Sequence, residues 1–113
     1  DKMREVVVNL LHNAIKYSPQ GGEIVVRLEN ISGNSSRIRL SVQDQGIGIA
    51  ESDKKKLFAK FGRTEEAQKL DPGGMGIGLY FVKRVVEDHK GIVGVESVGP
   101  GKGSTFWVEI PIQ

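Results

Sequence analysis

The sequence predicts an α/β fold: a two-layer sandwich with a mixed, mostly antiparallel sheet covered on one face by three helices. Three observations carry this. Apolar residues recur at spacings of three and four in 3–15 and 77–86, the period of a helix with one buried face. They alternate with polar ones in two adjoining pairs of segments, 24–29 with 37–43 and 92–97 with 105–110, the period of strands. The resulting order is helix, two strands, helix, loop, helix, two strands. Hairpin-paired strands separated by helices suit a sandwich better than a doubly wound parallel sheet. At 113 residues the chain has room for one core, so 1–113 reads as a single domain.

Each element has its own signal. Met3, Val6, Val7, Leu10, Leu11, Ala14 and Ile15 form the stripe of the first helix, and Ser18-Pro19-Gln20-Gly21-Gly22 ends it. Ile24, Val26 and Leu28 alternate through the first strand. A polar loop, 30–36, leads to the second, where Ile38, Leu40 and Val42 alternate with Arg37, Arg39, Ser41 and Gln43. Ser52 is placed to cap a short helix running to Phe61. Residues 62–75 lack any apolar period and end in Pro72-Gly73-Gly74, which reads as a loop. Ile77, Phe81, Val82, Val85 and Val86 mark the third helix, closed at Gly91. Two strands follow, joined by a glycine-rich turn around Pro100.

Composition narrows the function. The chain is 38% hydrophobic and 27% charged, with a net charge of +2 and no cysteine. Disulfides and thiolate metal sites are excluded, and a reducing cytosol is the default expectation. No apolar run approaches a membrane span and no leader-like segment opens the chain, so no direct membrane contact is expected. Lys54-Lys55-Lys56 is the only dense basic run; with Glu51 and Asp53 beside it, it reads as a solvated face. A nucleic-acid surface needs a wider basic stripe, so no nucleic acid is expected. The excess lies in fifteen glycines, clustered at 46–48, 73–78 and 91–103. Clustered glycine implies tight turns or close backbone approach to a ligand.

Candidate chemistry gathers around those clusters. Asp44 ends the second strand on the face of Ile38, Leu40 and Val42, toward the core. A buried carboxylate needs hydrogen-bond donors, and an exocyclic amino group such as adenine's is one; the plain alternative is a carboxylate capping the next turn. Asn9, Asn13 and Lys16 form one stripe on the first helix. The helical wheel puts them away from the apolar face, so a solvated surface is the plain alternative. Chemically, an amide oxygen can ligate Mg²⁺ and a lysine can meet a phosphate. The second cluster runs into the third helix, whose amino terminus is a ready anion site. It is not a G-x-G-x-x-G, since Leu79 and Phe81 break the pattern. Nor does Gly101-Lys102-Gly103 make a P-loop, which needs Ser or Thr after the lysine. His12 and His89 lie on polar helix sides and are too few for a metal site. Trp107 reads as sheet packing rather than ligand stacking.

These residues together resemble the catalytic ATP-binding domain of sensor histidine kinases, the GHKL or Bergerat-fold superfamily that also holds DNA gyrase B, Hsp90 and MutL. Five boxes match in order across the chain. They are Asn9-Leu10-Leu11-His12-Asn13-Ala14-Ile15-Lys16-Tyr17-Ser18, Asp44-Gln45-Gly46-Ile47-Gly48-Ile49, Leu57-Phe58-Ala59-Lys60-Phe61-Gly62-Arg63, Gly74-Met75-Gly76-Ile77-Gly78-Leu79 and Gly101-Lys102-Gly103-Ser104-Thr105-Phe106. The resemblance implies Mg–ATP as ligand. Asn13 would ligate Mg²⁺, with Asn9 beside the phosphates, Lys16 on a phosphate and Tyr17 flanking the adenine. Asp44 would accept the adenine amino group, with Gly46, Gly48, Ile49 and Phe61 shaping the base site. Arg63 would reach the terminal phosphate. Gly74, Gly76, Ile77, Gly78 and Leu79 would form the phosphate loop, 62–75 a lid, and Thr105 would line the adenine side.

The same resemblance implies an activity. Related ATPases carry a glutamate that activates water where this chain has Asn9, and an amide is no general base. Asn9, Lys16 and Arg63 are then the catalytic set of a kinase that saves the γ-phosphoryl for a histidine. Neither His12 nor His89 resembles the acceptor, so the phosphoacceptor histidine is expected on a dimerisation domain of the same parent protein, with a response regulator downstream. A cytoplasmic location is implied, with membrane attachment of the parent left open. A serine kinase of the anti-sigma-factor type, or a module that binds nucleotide without transfer, shares this pocket. Met75 departs from the family's usual Ser or Thr and has no hydroxyl for a phosphate; Gln45 stands where Asn is common.

Overall fold

The computed structural model describes residues 2–31, 33, 36–59 and 78–112. Helix α1 spans Lys2–Lys16 and α2 spans Gly78–Asp88. Strands β1 (Val25–Ile31), β2 (Arg37–Asp44), β3 (Ile92–Glu96) and β4 (Ser104–Pro111) form one sheet in the order β1-β2-β4-β3. Every pairing among the described residues is antiparallel. The two helices lie on one face, giving the expected two-layer α/β sandwich.

Burial follows the periodicities. Val6, Leu10 and Ala14, one turn apart on α1, are buried, as are Val82, Val85 and Val86 on α2. They meet Val42 of β2 and Phe106 and Val108 of β4. Each fully buried valine contributes about 2 kcal/mol. Ile15 does not join this stripe: it is 65% exposed, lying about a quarter-turn round the helix from Ala14. Glu5 near the start of α1 and Lys16 at its end complement the helix dipole. Ser18 closes the helix through its hydroxyl, which donates to Ala14 O at 2.7 Å.

One local expectation needs correction. The middle helix is a 3-10 segment, Glu51–Lys56, whose N-cap is Ala50 with no side-chain cap. Ser52 lies inside it, and the segment opens on its own first i→i+3 bond, Asp53 N–H to Ala50 O at 2.9 Å. The end of α2 closes at Gly91 as expected, with Lys90 in the left-handed conformation before it (φ +64°). Gly91 N–H bonds Val86 O and Lys90 N–H bonds Glu87 O, each at 2.9 Å, which is a Schellman closure.

The far face of the sheet holds the charged and aromatic residues of the alternation. The Arg39 guanidinium stacks on the Trp107 ring at 4.6 Å and pairs with Glu109, itself 8% exposed. Trp107 therefore packs on the sheet, as its alternation predicts. On α2, a hydrogen bond from Arg84 to the Tyr80 hydroxyl, 3.1 Å, raises the guanidinium pKa further, so that charge is fixed at any working pH.

Candidate functional site

A cavity opens where the ends of β2 and β4 meet α1 and the start of α2. Asn13 and Tyr17 line it from α1, Asp44 from β2, and Ser104 and Phe106 from β4. Ile47, Gly48 and Ile49 line it from the loop after β2. Leu57 closes another side and Leu79 approaches from α2. The walls are largely apolar with a few convergent polar groups, the usual make-up of a small-molecule site.

Asp44 is the best-defined polar group. It is 6% exposed. Its Oδ1 accepts the Gly46 N–H at 2.9 Å and the Ser104 N–H at 3.2 Å. Its Oδ2 accepts the Ser104 hydroxyl at 3.2 Å. Three donors hold the carboxylate, and Oδ2 keeps acceptor capacity for a donor entering the cavity. Asp44 thus organises the turn through Gly46, the plainer of its two expected roles, and it also lines the cavity.

The loop after Asp44 needs its glycines for specific reasons. A Cβ on Gly46 would stand 2.1 Å from Tyr17 O, whose carbonyl accepts the Ile47 N–H at 3.1 Å. This contact pulls the loop against the end of α1. Gly48 has φ +69°, and a Cβ there would stand 2.2 Å from Gly99 O. Ile49 is 6% exposed and seals the cavity beneath.

The first-helix stripe is not simply solvated. Asn9 and Asn13 are half-buried, since α2 packs alongside α1. Asn9 Oδ1 lies 3.0 Å from where a Cβ on Gly78 would stand, so Asn9 abuts the first residue of α2. Its Nδ2 donates to Glu5 O at 2.8 Å, which leaves the amide oxygen toward α2. Lys16 is exposed, with its ammonium over the Tyr17 ring at 5.6 Å. Gly78 therefore sits beside Asn9, and Leu79, the next residue, lines the cavity.

One expected residue is displaced by one position. Thr105 shares the sheet face of Gln43, away from the helices, because Gln43 pairs with Thr105 and Asp44 with Ser104. Ser104 is the residue that lines the cavity. The signal was present: Phe106, Val108 and Ile110 mark the core face of β4, and Ser104 continues that series. Leu57 and Phe106 also went unassigned to the site; Phe106 meets Phe58 edge-on at 6.2 Å. Phe61, Arg63, Gly74, Gly76 and Ile77, with the lid at 62–75, lie outside the described residues.

Residues 1–113 match the family described as histidine kinase-, DNA gyrase B-, and HSP90-like ATPase, and the chain belongs to it. The sensor histidine kinase AruS of Pseudomonas aeruginosa is 46% identical over 112 residues, covering 97% of this chain and 11% of AruS. The adaptive-response sensory kinase SasA of a Synechococcus species is 42% identical over 112 residues, covering 99% of this chain and 28% of SasA. Among solved structures, the mycobacterial sensor histidine kinase MprB matches with a TM-score of 0.81 at 33% identity, over 97% of this chain and 70% of that one. Full-length ShkA in complex with AMPPNP matches with a TM-score of 0.80 at 31% identity, over 97% of this chain and 21% of ShkA. The chain thus spans only 11% to 28% of the two curated relatives.

Proposed function

We propose that this chain is the ATP-binding catalytic domain of a protein-histidine kinase, acting in two-component signal transduction. It binds Mg–ATP and donates the γ-phosphoryl group to a histidine on a separate dimerisation domain of its parent protein, which then serves a response regulator. The observation that carries the reading is Asp44: a buried carboxylate at the cavity floor, held by Gly46 and Ser104, with acceptor capacity for an adenine amino group. Tyr17 and Ile49 bracket the base site. The AMPPNP complex of ShkA supports an adenine nucleotide as ligand.

The phosphate end follows from α1 and the start of α2. The free N–H groups of a helix amino terminus favour anions, and Gly78 opens α2 beside Asn9. Lys16, one turn beyond Asn13, supplies positive charge from the rim. Among the described residues no group of three His, Asp or Glu side chains could hold a metal. An amide oxygen on the cavity wall does fit Mg²⁺, which keeps waters and phosphate oxygens and takes few protein ligands. Asn13 would hold it, and the ion would neutralise phosphate charge. Arg63, outside the described residues, keeps its role on sequence grounds.

The transfer itself needs little from the protein beyond placement and charge. The acceptor imidazole nitrogen forms the bond to the γ-phosphorus as the bond to the β–γ bridging oxygen breaks, and ADP leaves. Asn9 cannot deprotonate water, so hydrolysis is slow and the nucleotide persists until the histidine arrives. The working location is the cytoplasm, where ATP is supplied, without contact to nucleic acid or membrane by this domain. No helix among the described residues is long and apolar enough to cross a membrane.

The test is a transfer assay. The chain is incubated with γ-labelled ATP, Mg²⁺ and a helical-hairpin dimerisation domain carrying the acceptor histidine. An acid-labile, base-stable phosphoprotein is the expected product. An acid-stable product would move the assignment to a serine kinase, and free phosphate alone would move it to a hydrolase.

A further inference from the structure

The turn between β3 and β4 lies outside the cavity, yet it is bound to the loop that lines it. Gly101 N–H reaches Ile47 O at 2.6 Å and Gly103 N–H reaches Gly46 O at 3.1 Å. One side chain joins the two segments. The Ser97 hydroxyl oxygen accepts the Ile49 N–H at 3.0 Å and the Gly99 N–H at 3.3 Å, and the hydroxyl donates to Gly103 O at 2.7 Å. Ile49 in turn lines the cavity with Asp44, and it is nearly buried. Ser97 does not itself line that cavity.

We propose that Ser97 is a positioning residue for the base site: its hydroxyl clamps the β3–β4 turn to residues 46–49 and so sets the wall against which an adenine rests. The inference rests on the nucleotide reading above. The geometry gives the reason. Ile49 N–H is turned away from the cavity and toward the turn, and among the described residues Ser97 is the acceptor that satisfies it. Removing that acceptor leaves a half-buried donor unpaired and frees the Ile49 side chain to leave its position beside Asp44. Among the described residues the other hydrogen bonds between the turn and residues 46–49 run backbone to backbone, so Ser97 is where a side-chain change can loosen the clamp between these two segments. Alanine removes the hydroxyl, whereas threonine retains it.

Two variants of the 113-residue chain, Ser97→Ala and Ser97→Thr, test this. ADP affinity is measured by calorimetry well below the melting temperature, where global destabilisation leaves the folded fraction unchanged. Amide hydrogen exchange is followed at Ile49, Val42 and Val86. Ser97→Ala should weaken ADP by roughly tenfold and speed exchange at Ile49 by a similar factor, with Val42 and Val86 unmoved. Ser97→Thr should restore affinity to within about threefold of the parent. Parental ADP affinity in Ser97→Ala overturns the proposal, as does equal weakening in both variants or faster exchange throughout the core. If the parent chain binds no ADP, the nucleotide reading falls and takes this proposal with it; parental binding with an indifferent Ser97→Ala overturns the proposal alone.

Discussion

The two ends of the cavity are built differently. At the proposed base end, Asp44 is nearly buried and its carboxylate is held by two backbone N–H groups and a hydroxyl. The loop beyond it is fastened on both sides, to Tyr17 O and to the β3–β4 turn. At the proposed phosphate end, Asn9 and Asn13 are half-buried and Lys16 is exposed, and among the described residues the side-chain hydrogen bond of these asparagines runs from Asn9 back to Glu5 O of its own helix. One end is fixed before the ligand arrives; the other presents polar groups on a helix surface. Base selection needs a fixed acceptor, because the wrong base is rejected by leaving a buried group unpaired. Phosphate binding needs charge and donors, which act over longer reach and tolerate adjustment.

This contrast predicts that equal-sized lesions have unequal effects. Gly48→Ala strikes the fixed end hardest. A methyl group at φ +69°, 2.2 Å from Gly99 O, should cost about 3 kcal/mol of stability by denaturant titration. A loss under roughly 1 kcal/mol would mean that the loop is not held as tightly as its contacts imply. Asn13→Ala, at the other end, should leave stability within about 0.5 kcal/mol of the parent. It should instead abolish the gain in ATP affinity that Mg²⁺ provides, about tenfold, as read by calorimetry with and without the ion. A Mg²⁺ increment intact in Asn13→Ala would remove that residue as the ligand. Asn9→Ala should bind ADP within about threefold of the parent yet lose most phosphotransfer to the histidine domain. Affinity and transfer falling together would place Asn9 in ground-state binding. Lys90→Gly, remote from both ends, should raise stability by about 0.5–1 kcal/mol with ADP affinity unchanged, because glycine adopts the left-handed cap without strain. An altered affinity there would mean that α2 transmits changes to the cavity.

The fold was largely legible because its signals are local. The stripe of Val6, Leu10 and Ala14, the alternation through Val42, and the hairpin spacing each depend on a few neighbouring residues. The cavity wall after β2 was legible for the same reason: Asp44 and its glycines are contiguous. What the sequence concealed depends on partners distant in the chain. Asn9 looks solvated on a helical wheel because the wheel omits α2, which arrives some seventy residues later to place Gly78 against it. Ser104 was passed over for Thr105 because the strand-to-strand register, Asp44 with Ser104, decides which one shares the cavity face. Ser97 carries no motif; only the folding of its turn onto residues 46–49 gives its hydroxyl a task. Lys90 shows a further kind of concealment: the capping geometry is ordinary, but the residue in the left-handed position is not glycine.

The central claim is that Asp44 reads an adenine at the fixed end of the cavity. Calorimetry of ATP and GTP against the parent chain and Asp44→Asn tests it most directly. The parent should prefer ATP, and Asp44→Asn should lose ATP affinity by roughly 10- to 100-fold and with it the preference, since one charge-assisted hydrogen bond is exchanged for a mismatched donor. Its melting transition should remain cooperative, because the Asn oxygen can still accept from Gly46 and Ser104. An Asp44→Asn chain that keeps the parent's affinity and its preference for ATP over GTP would contradict the account.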